Sequence, residues 1–214
     1  MTSRRTAAGG LVEREKAVRF TFDGKPYAGV AGDTLASALL ANGVSLMGRS
    51  FKYHRPRGAL TAGVDEPNAL VTVLKGDLRE PNIPATQLEI HDGLTAESQN
   101  RFPSLGFDVG VVNQLGGKVL AAGFYYKTFM GPVIGPLKGT RFWMFCEHFI
   151  RRAAGLGRAG RRKDTARYER MNAFCDVLVV GSGPAGLMAA KAAAERGQRV
   201  ILAELDPRFG GSAN

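Results

Sequence analysis

The chain has 214 residues, 44% hydrophobic and 22% charged, which is the make-up of a folded globular protein of one large or two small domains. Twenty-nine Lys and Arg against nineteen Asp and Glu leave a net charge of +10, which favours an acidic or phosphate-bearing partner without choosing among them. Two cysteines, Cys146 and Cys175, exclude a disulfide framework and a four-thiolate metal or iron–sulfur site.

Glu13, Arg14, Glu15 and Lys16 arrive before any apolar run, which excludes an ordinary secretory leader. No window holds the roughly 18 uncharged apolar residues of a membrane span, because Lys127 interrupts the stretch from Val119 to Ile134. The expected address is the cytoplasm, with no membrane partner. Residues 1–17 read as a polar, charged arm. From Val18 the period is that of a half-buried strand: Val18, Phe20 and Phe22 alternate with Arg19 and Thr21. Asp23-Gly24 predicts a turn, and Tyr27 to Val30 the returning strand of a hairpin. Asp33 stands as N-cap of a helix over 34–42, which Asn42-Gly43 closes. A hairpin with a helix laid across it opens a β-grasp domain.

Residues 48–58 then mix cations with aromatics. Strands are expected at Ala69–Leu74 and Gln87–Ile90, with a Pro-Asn-Ile-Pro loop at 81–84 between them. From Leu105 to Met130 the chain is apolar, glycine-rich and aromatic, with Phe124, Tyr125, Tyr126 and Phe129 close together, and helical pieces broken at glycines are expected there. Residues 151–170 carry eight Lys and Arg against Asp164 and Glu169, the make-up of a connector. The expected division is a β-grasp domain over 18–104, a connector or interface segment over 105–172 and a dinucleotide-binding domain over 173–214.

The chemistry sits in that last part. Asp176-Val177-Leu178-Val179-Val180 reads as a buried parallel strand and leads into Gly181-Ser182-Gly183-Pro184-Ala185-Gly186. An alanine-rich helix follows from Leu187 to Arg196, then Gly197, then a second strand from Arg199 to Leu205 that holds Glu204. Strand, glycine turn, helix, strand and terminal acid stand in the order of a dinucleotide fingerprint. Gly181 permits the tight turn, Gly183 the approach of a pyrophosphate, and Gly186 close packing of helix on strand. The helix N-terminus offers N–H donors to the phosphates. Glu204 can accept from ribose hydroxyls, and its charge repels a 2′-phosphate, so NAD or FAD is favoured over NADP. The chain stops after this one β-α-β unit, with the 177–180 strand left an open apolar edge. The expectation is therefore the N-terminal portion of a longer polypeptide, ending inside a truncated Rossmann-type domain.

Other signals are weaker. His54, His91 and His148 lack metal-ligand spacing and read as surface or packing residues. Cys146 and Cys175 read as inert thiols. The cation–aromatic loop at 49–57 is either an RNA or phosphate contact or a structural loop, and the latter is preferred. No catalytic constellation is found.

The string Gly-Arg-Ser-Phe-Lys-Tyr-His-Arg-Pro-Arg-Gly at 48–58, Glu66-Pro67-Asn68-Ala69, the aromatic run 124–130, residues 150–157 and the fingerprint at 181–186 resemble the alpha subunit of heterotetrameric sarcosine oxidase. The resemblance runs from about residue 18 to the end. It implies a [2Fe–2S] ferredoxin-like domain followed by a domain that holds NAD, FAD being the less favoured occupant. It also implies partner subunits beta, gamma and delta, with FAD and FMN mainly on beta, where sarcosine is demethylated to glycine, and a C-terminal remainder of alpha. The cofactor-binding set it implies is Gly181, Ser182, Gly183, Pro184, Ala185, Gly186, Glu204, Leu205, Asp206, Gly211 and Ser212. Leu205 departs from the family, which often has an acid or polar residue there. Gly43 to Gly63, where related ferredoxins place thiolates, has no cysteine, so a cluster-free domain is expected, with no metal ligand and no catalytic residue in this chain. The fragment alone is expected to be inactive. Alternatives are the alpha subunit of a related flavin-dependent amine or proline dehydrogenase and, from another class, a basic nucleic-acid-binding module; no nucleic-acid partner is expected on the preferred reading.

Overall fold

Alternation from Val18 to Phe22 places Val18, Phe20 and Phe22 in the core of a long strand, β1 (Glu13–Phe22), in the computed structural model of the chain. The structure describes residues 4–116, 142–153, 155–164, 167–206 and 208–213. β1 starts inside the segment read as an arm. It turns at Asp23-Gly24, both at positive φ (48° and 75°), and pairs antiparallel with β2 (Lys25–Ala31). Two successive left-handed residues give the turn whose twist matches that of the strands.

Helix α1 (Leu35–Ala41) is capped by Thr34, whose hydroxyl accepts from the Ser37 N–H at 3.2 Å. Asp33, the expected cap, is one residue too early and has another task. It is fully buried, and its carboxylate accepts from the Val30 N–H at 3.0 Å and the Ser37 hydroxyl at 2.8 Å. The Arg5 guanidinium closes on it as a two-pronged ion pair, tying the N-terminal segment to the domain. Leu35, Ala36, Ala38 and Leu39 are buried in the core beneath the helix.

The sheet runs β2-β1-β7-β5-β6, with β5 at Leu70–Lys75, β6 at Leu78–Pro84 and β7 at Leu94–Ser98. Only β1 and β7 run parallel; the other neighbours are antiparallel. The Pro-Asn-Ile-Pro stretch is the end of edge strand β6 rather than a loop, since an edge tolerates residues without an N–H. Gln87–Ile90 is not a ladder strand. It meets α1 through an isolated bridge between Thr34 and Glu89, while the central strand β7 comes from Leu-Thr-Ala-Glu-Ser.

A short hairpin, β3 (Gly48–Arg49) with β4 (Pro56–Arg57), carries the cation–aromatic loop. Its neighbour Glu66 is 4% exposed, and its carboxylate accepts from the N–H groups of Leu60 (2.6 Å), Thr61 (2.8 Å), Asn68 (2.7 Å) and Ala69 (3.0 Å). Burial pushes the carboxyl up, but these four donors outweigh it and hold it below the usual carboxylate range. Because the folded value is depressed, the stability Glu66 contributes is fully present above the unfolded value and is lost as pH falls through the folded one. Glu66→Gln, which turns an amide NH2 toward two of the four donors, is expected to cost about 2 kcal/mol at neutral pH. The loss should shrink in acid, which urea titrations at pH 7 and pH 3 measure.

Beyond the sheet come a 3-10 helix (Val109–Gly116) and helix α2 (Phe142–Ala153). The aromatic run at 124–130 and the Val119–Ile134 stretch, including Lys127, lie outside the described residues. Among the described residues, no helix is long and apolar enough to cross a membrane. The chain divides into two compact units, Met1–Arg162 and Lys163–Asn214. In the second, β8 (Val177–Val180) and β9 (Val200–Ala203) pair in parallel, and helix α3 (Pro184–Glu195) connects them.

Candidate dinucleotide-binding site

β8 ends at Gly181, whose φ of +93° turns the chain sharply into Ser182. Gly183 is the N-cap of α3, without a side-chain cap bond, and Pro184 follows in the first turn, where its missing N–H costs nothing. The α3 N-terminus thus keeps unsatisfied N–H groups. A Cβ added at Gly183 would meet nothing within 4 Å, so the space before that N-terminus is open. A Cβ at Gly186 would sit on the Gly181 carbonyl oxygen. Gly186 is therefore a packing requirement and Gly183 an access requirement.

Glu204, at the end of β9, turns into the glycine turn. One carboxylate oxygen accepts from the Ser182 N–H at 2.6 Å and from the Ser182 hydroxyl. The other accepts from the N–H groups of Leu205 (2.7 Å) and Asp206 (3.1 Å). The Ser182 hydroxyl, then the N–H groups of Asp206, Ser182 and Leu205, hold the Glu204 carboxyl down to about 2. Ser182 is fully buried, and its carbonyl accepts from the Gly210 N–H at 3.0 Å. Gly211, at φ +56°, brings a third segment within 3.1 Å of Gly183 by its own would-be Cβ. The structure thus brings 181–183, 204–206 and 210–211 together. Ala185 is exposed on the first turn of α3, the Leu205 side chain is 92% exposed, and Ser212 lies in a short 3-10 turn (Gly211–Ala213).

In the first unit, the structure joins residues that sequence spacing does not. Asp108 accepts from His54 Nδ1 at 2.6 Å and from the N–H groups of Phe102 (3.1 Å) and Gly110 (3.0 Å), with Arg49 Nε 3.9 Å away. Burial pushes the Asp108 carboxyl up, but the His54 ring and the Gly110 and Phe102 N–H groups hold it below the usual range. Arg49 is buried, and its guanidinium donates to the carbonyls of Leu105 and His54. Lys52 and Arg55 lie over the Tyr53 ring, 5.5 and 5.3 Å from its centroid. Fifty-four residues separate His54 from Asp108, and no local pattern signals the pair. Among the described residues, no group of three or more His, Cys, Asp and Glu is placed to hold a metal ion.

Residues 15–101 match the 2Fe-2S iron-sulfur cluster binding domain family, and residues 176–214 match the FAD binding domain family. Over 212 residues, 99% of this chain and 21% of the relative, the sequence is 56% identical to sarcosine oxidase subunit alpha of Rhizobium meliloti (strain 1021). Over 208 residues, 96% of this chain and 16% of the relative, it is 33% identical to sarcosine oxidase subunit alpha of Corynebacterium sp. (strain U-96). The chain is homologous to these sarcosine oxidase alpha subunits over nearly its whole length. It spans about a fifth or less of the length of these relatives. A crystal structure of L-proline dehydrogenase from P. horikoshii is similar to this chain at 22% identity, with a TM-score of 0.44 over 93% of this chain and 26% of that one.

Two cofactor expectations for the chain are corrected by the family matches. NAD gives way to FAD, because the 176–214 match is to an FAD binding domain. The glycine fingerprint and terminal acid serve either dinucleotide, which is why the residues alone did not separate them. The expectation of no iron–sulfur cluster gives way to membership of a 2Fe-2S cluster binding domain family over 15–101. The donors within 15–101 do not match a four-ligand cluster site: the stretch has no cysteine, His54 Nδ1 is engaged by Asp108, and His91 is exposed.

Proposed function

We propose that residues 181–186, 204–206 and 210–212 hold the ADP part of FAD, and that the chain is the dinucleotide-binding and docking part of a sarcosine-oxidase-type flavoenzyme subunit. The observation that carries this is the open space over Gly183 at an uncapped helix N-terminus, bordered by Gly181 and Gly211 at positive φ. Free N–H groups of α3 would meet the pyrophosphate there, and the helix dipole favours its charge. Glu204, kept ionised far below neutral pH, is an acceptor for ribose hydroxyls, one of which takes the place of the Ser182 hydroxyl, because the four internal donors fill its lone pairs. When bound, the flavin supplies the electron acceptor for oxidation of an amine. The match to an FAD binding domain supports the choice of dinucleotide.

The two relatives are each named a subunit alpha, which supports assembly with further subunits, read here as beta, gamma and delta. On this reading sarcosine is oxidised to glycine on a partner, and the 214 residues alone give no sarcosine-dependent peroxide. Glu204→Gln is expected to weaken FAD binding by about tenfold, the worth of one charge-assisted hydrogen bond. Titration by flavin fluorescence checks this. Wild-type affinity should also stay level between pH 5 and pH 9 (~2 units or more above the Glu204 value), because that carboxylate does not change charge there. A wild-type level affinity in the Glu204→Gln chain would remove Glu204 from the site.

A further inference from the structure

The first unit contains a cavity of about 610 Å³ that belongs to neither the glycine turn nor its surroundings. Its wall includes His54, Arg79, Glu97, Arg101, Asn113 and Arg152. Two of the three arginines are balanced: Arg79 pairs with Glu97, and Arg101 with Asp23 at 3.2 Å. Arg152, in the last turn of α2, has no ion-pair or hydrogen-bond partner among the described residues. His54 is in the same position at one nitrogen. Its Nδ1 is engaged by Asp108, whereas Nε2 has no partner among the described residues. The Asp108 carboxylate fixes the ring, and Nε2 is the atom left for a ligand. Behind the ring, Asp108 and Arg49 are the charged neighbours. Across the cavity the charges are those of Arg79, Glu97, Arg101 and Arg152.

The wall therefore combines an unpaired guanidinium, two arginines already held in place and an imidazole oriented by a buried acid. Asn113 adds an amide to it. A cavity of this volume is of the size that takes a small organic molecule. We propose that this cavity binds the oxyanion group of a small anionic molecule at Arg152, in the wall that His54 and Asn113 complete. Binding is non-covalent, and no bond is made or broken.

Sulfate is the probe of choice, because it does not itself titrate between pH 5 and pH 9, and succinate at equal concentration distinguishes a carboxylate site from one for tetrahedral oxyanions. Calorimetric titration of the full-length protein, against chloride at matched ionic strength, reads the affinity. Saturable binding of one of the two anions is expected near neutral pH. Arg152→Gln should weaken it about tenfold or more, whereas Arg162→Gln, an exposed cation paired with Asp77, should leave it unchanged. No saturation above the chloride control, or equal losses in Arg152→Gln and Arg162→Gln, would overturn the proposal and leave the dinucleotide reading untouched.

Discussion

Replacing Gly186 with alanine is expected to cost the second unit about 3 kcal/mol or more and to abolish dinucleotide binding with it, because the new Cβ would fall on the Gly181 carbonyl oxygen. Backbone, not a flexible side chain, is what the methyl meets. Relief would require the α3 N-terminus to lift from β8, which undoes the turn itself. Gly183→Ala makes the informative contrast. There the Cβ meets nothing within 4 Å among the described residues, so stability should hold while FAD affinity falls, since the methyl occupies the space a pyrophosphate needs. Thermal melts and FAD titrations on the two variants separate packing from access. Loss of stability in both, or in neither, would show that the two glycines do not divide the work in this way.

Asp33→Ala is expected to lower the unfolding free energy of the first unit by about 3 kcal/mol, the usual cost of removing one partner of a buried hydrogen-bonded charge pair. The Val30 N–H and the Ser37 hydroxyl lose their acceptor in a fully buried place, and Arg5 loses its anchor. Arg5→Ala should cost less, because the carboxylate keeps its two internal donors. Burial pushes the Asp33 carboxyl up, while Arg5, Val30 and Ser37 hold it below the usual range. Its folded value is thus depressed, and its contribution is complete above the unfolded value and fades as pH falls through the folded one. Denaturant titrations of Asp33→Ala, Arg5→Ala and wild type at pH 7 and pH 3 should converge in acid. A constant gap between the curves at both pH values would mean that the ion pair is not what holds α1 and β2.

The hairpin, α1 and the β8–α3–β9 unit were legible in the sequence because each is specified locally. A period of two, an Asp-Gly turn or a glycine turn between an apolar run and an alanine-rich helix is enough. The central strand β7 was not, since Leu94-Thr-Ala-Glu-Ser98 is short and half polar. Its place depends on parallel pairing with β1, more than seventy residues earlier. β6 was hidden by two prolines that an edge accepts. Of the candidate site, the glycines were readable from conformational need, and Glu204 from its position after the second strand. Its inward bonds to Ser182 and the following N–H groups were not, because they depend on how β9 meets the turn. The His54–Asp108 pair had no signal at all, as two lone residues 54 apart acquire meaning only when folding buries both. The choice between dinucleotides lay beyond the fingerprint, and NAD, which the resemblance implied, was corrected by the family match.

The most direct test of the account is equilibrium binding of FAD to the full-length protein, freed of nucleotide and followed by flavin fluorescence, beside its Gly183→Ala variant. The account predicts saturable binding at one FAD per chain, lost in the variant while its melting temperature stays that of wild type. Absence of saturable FAD binding in the wild-type chain, or equal affinity in the variant, would contradict it.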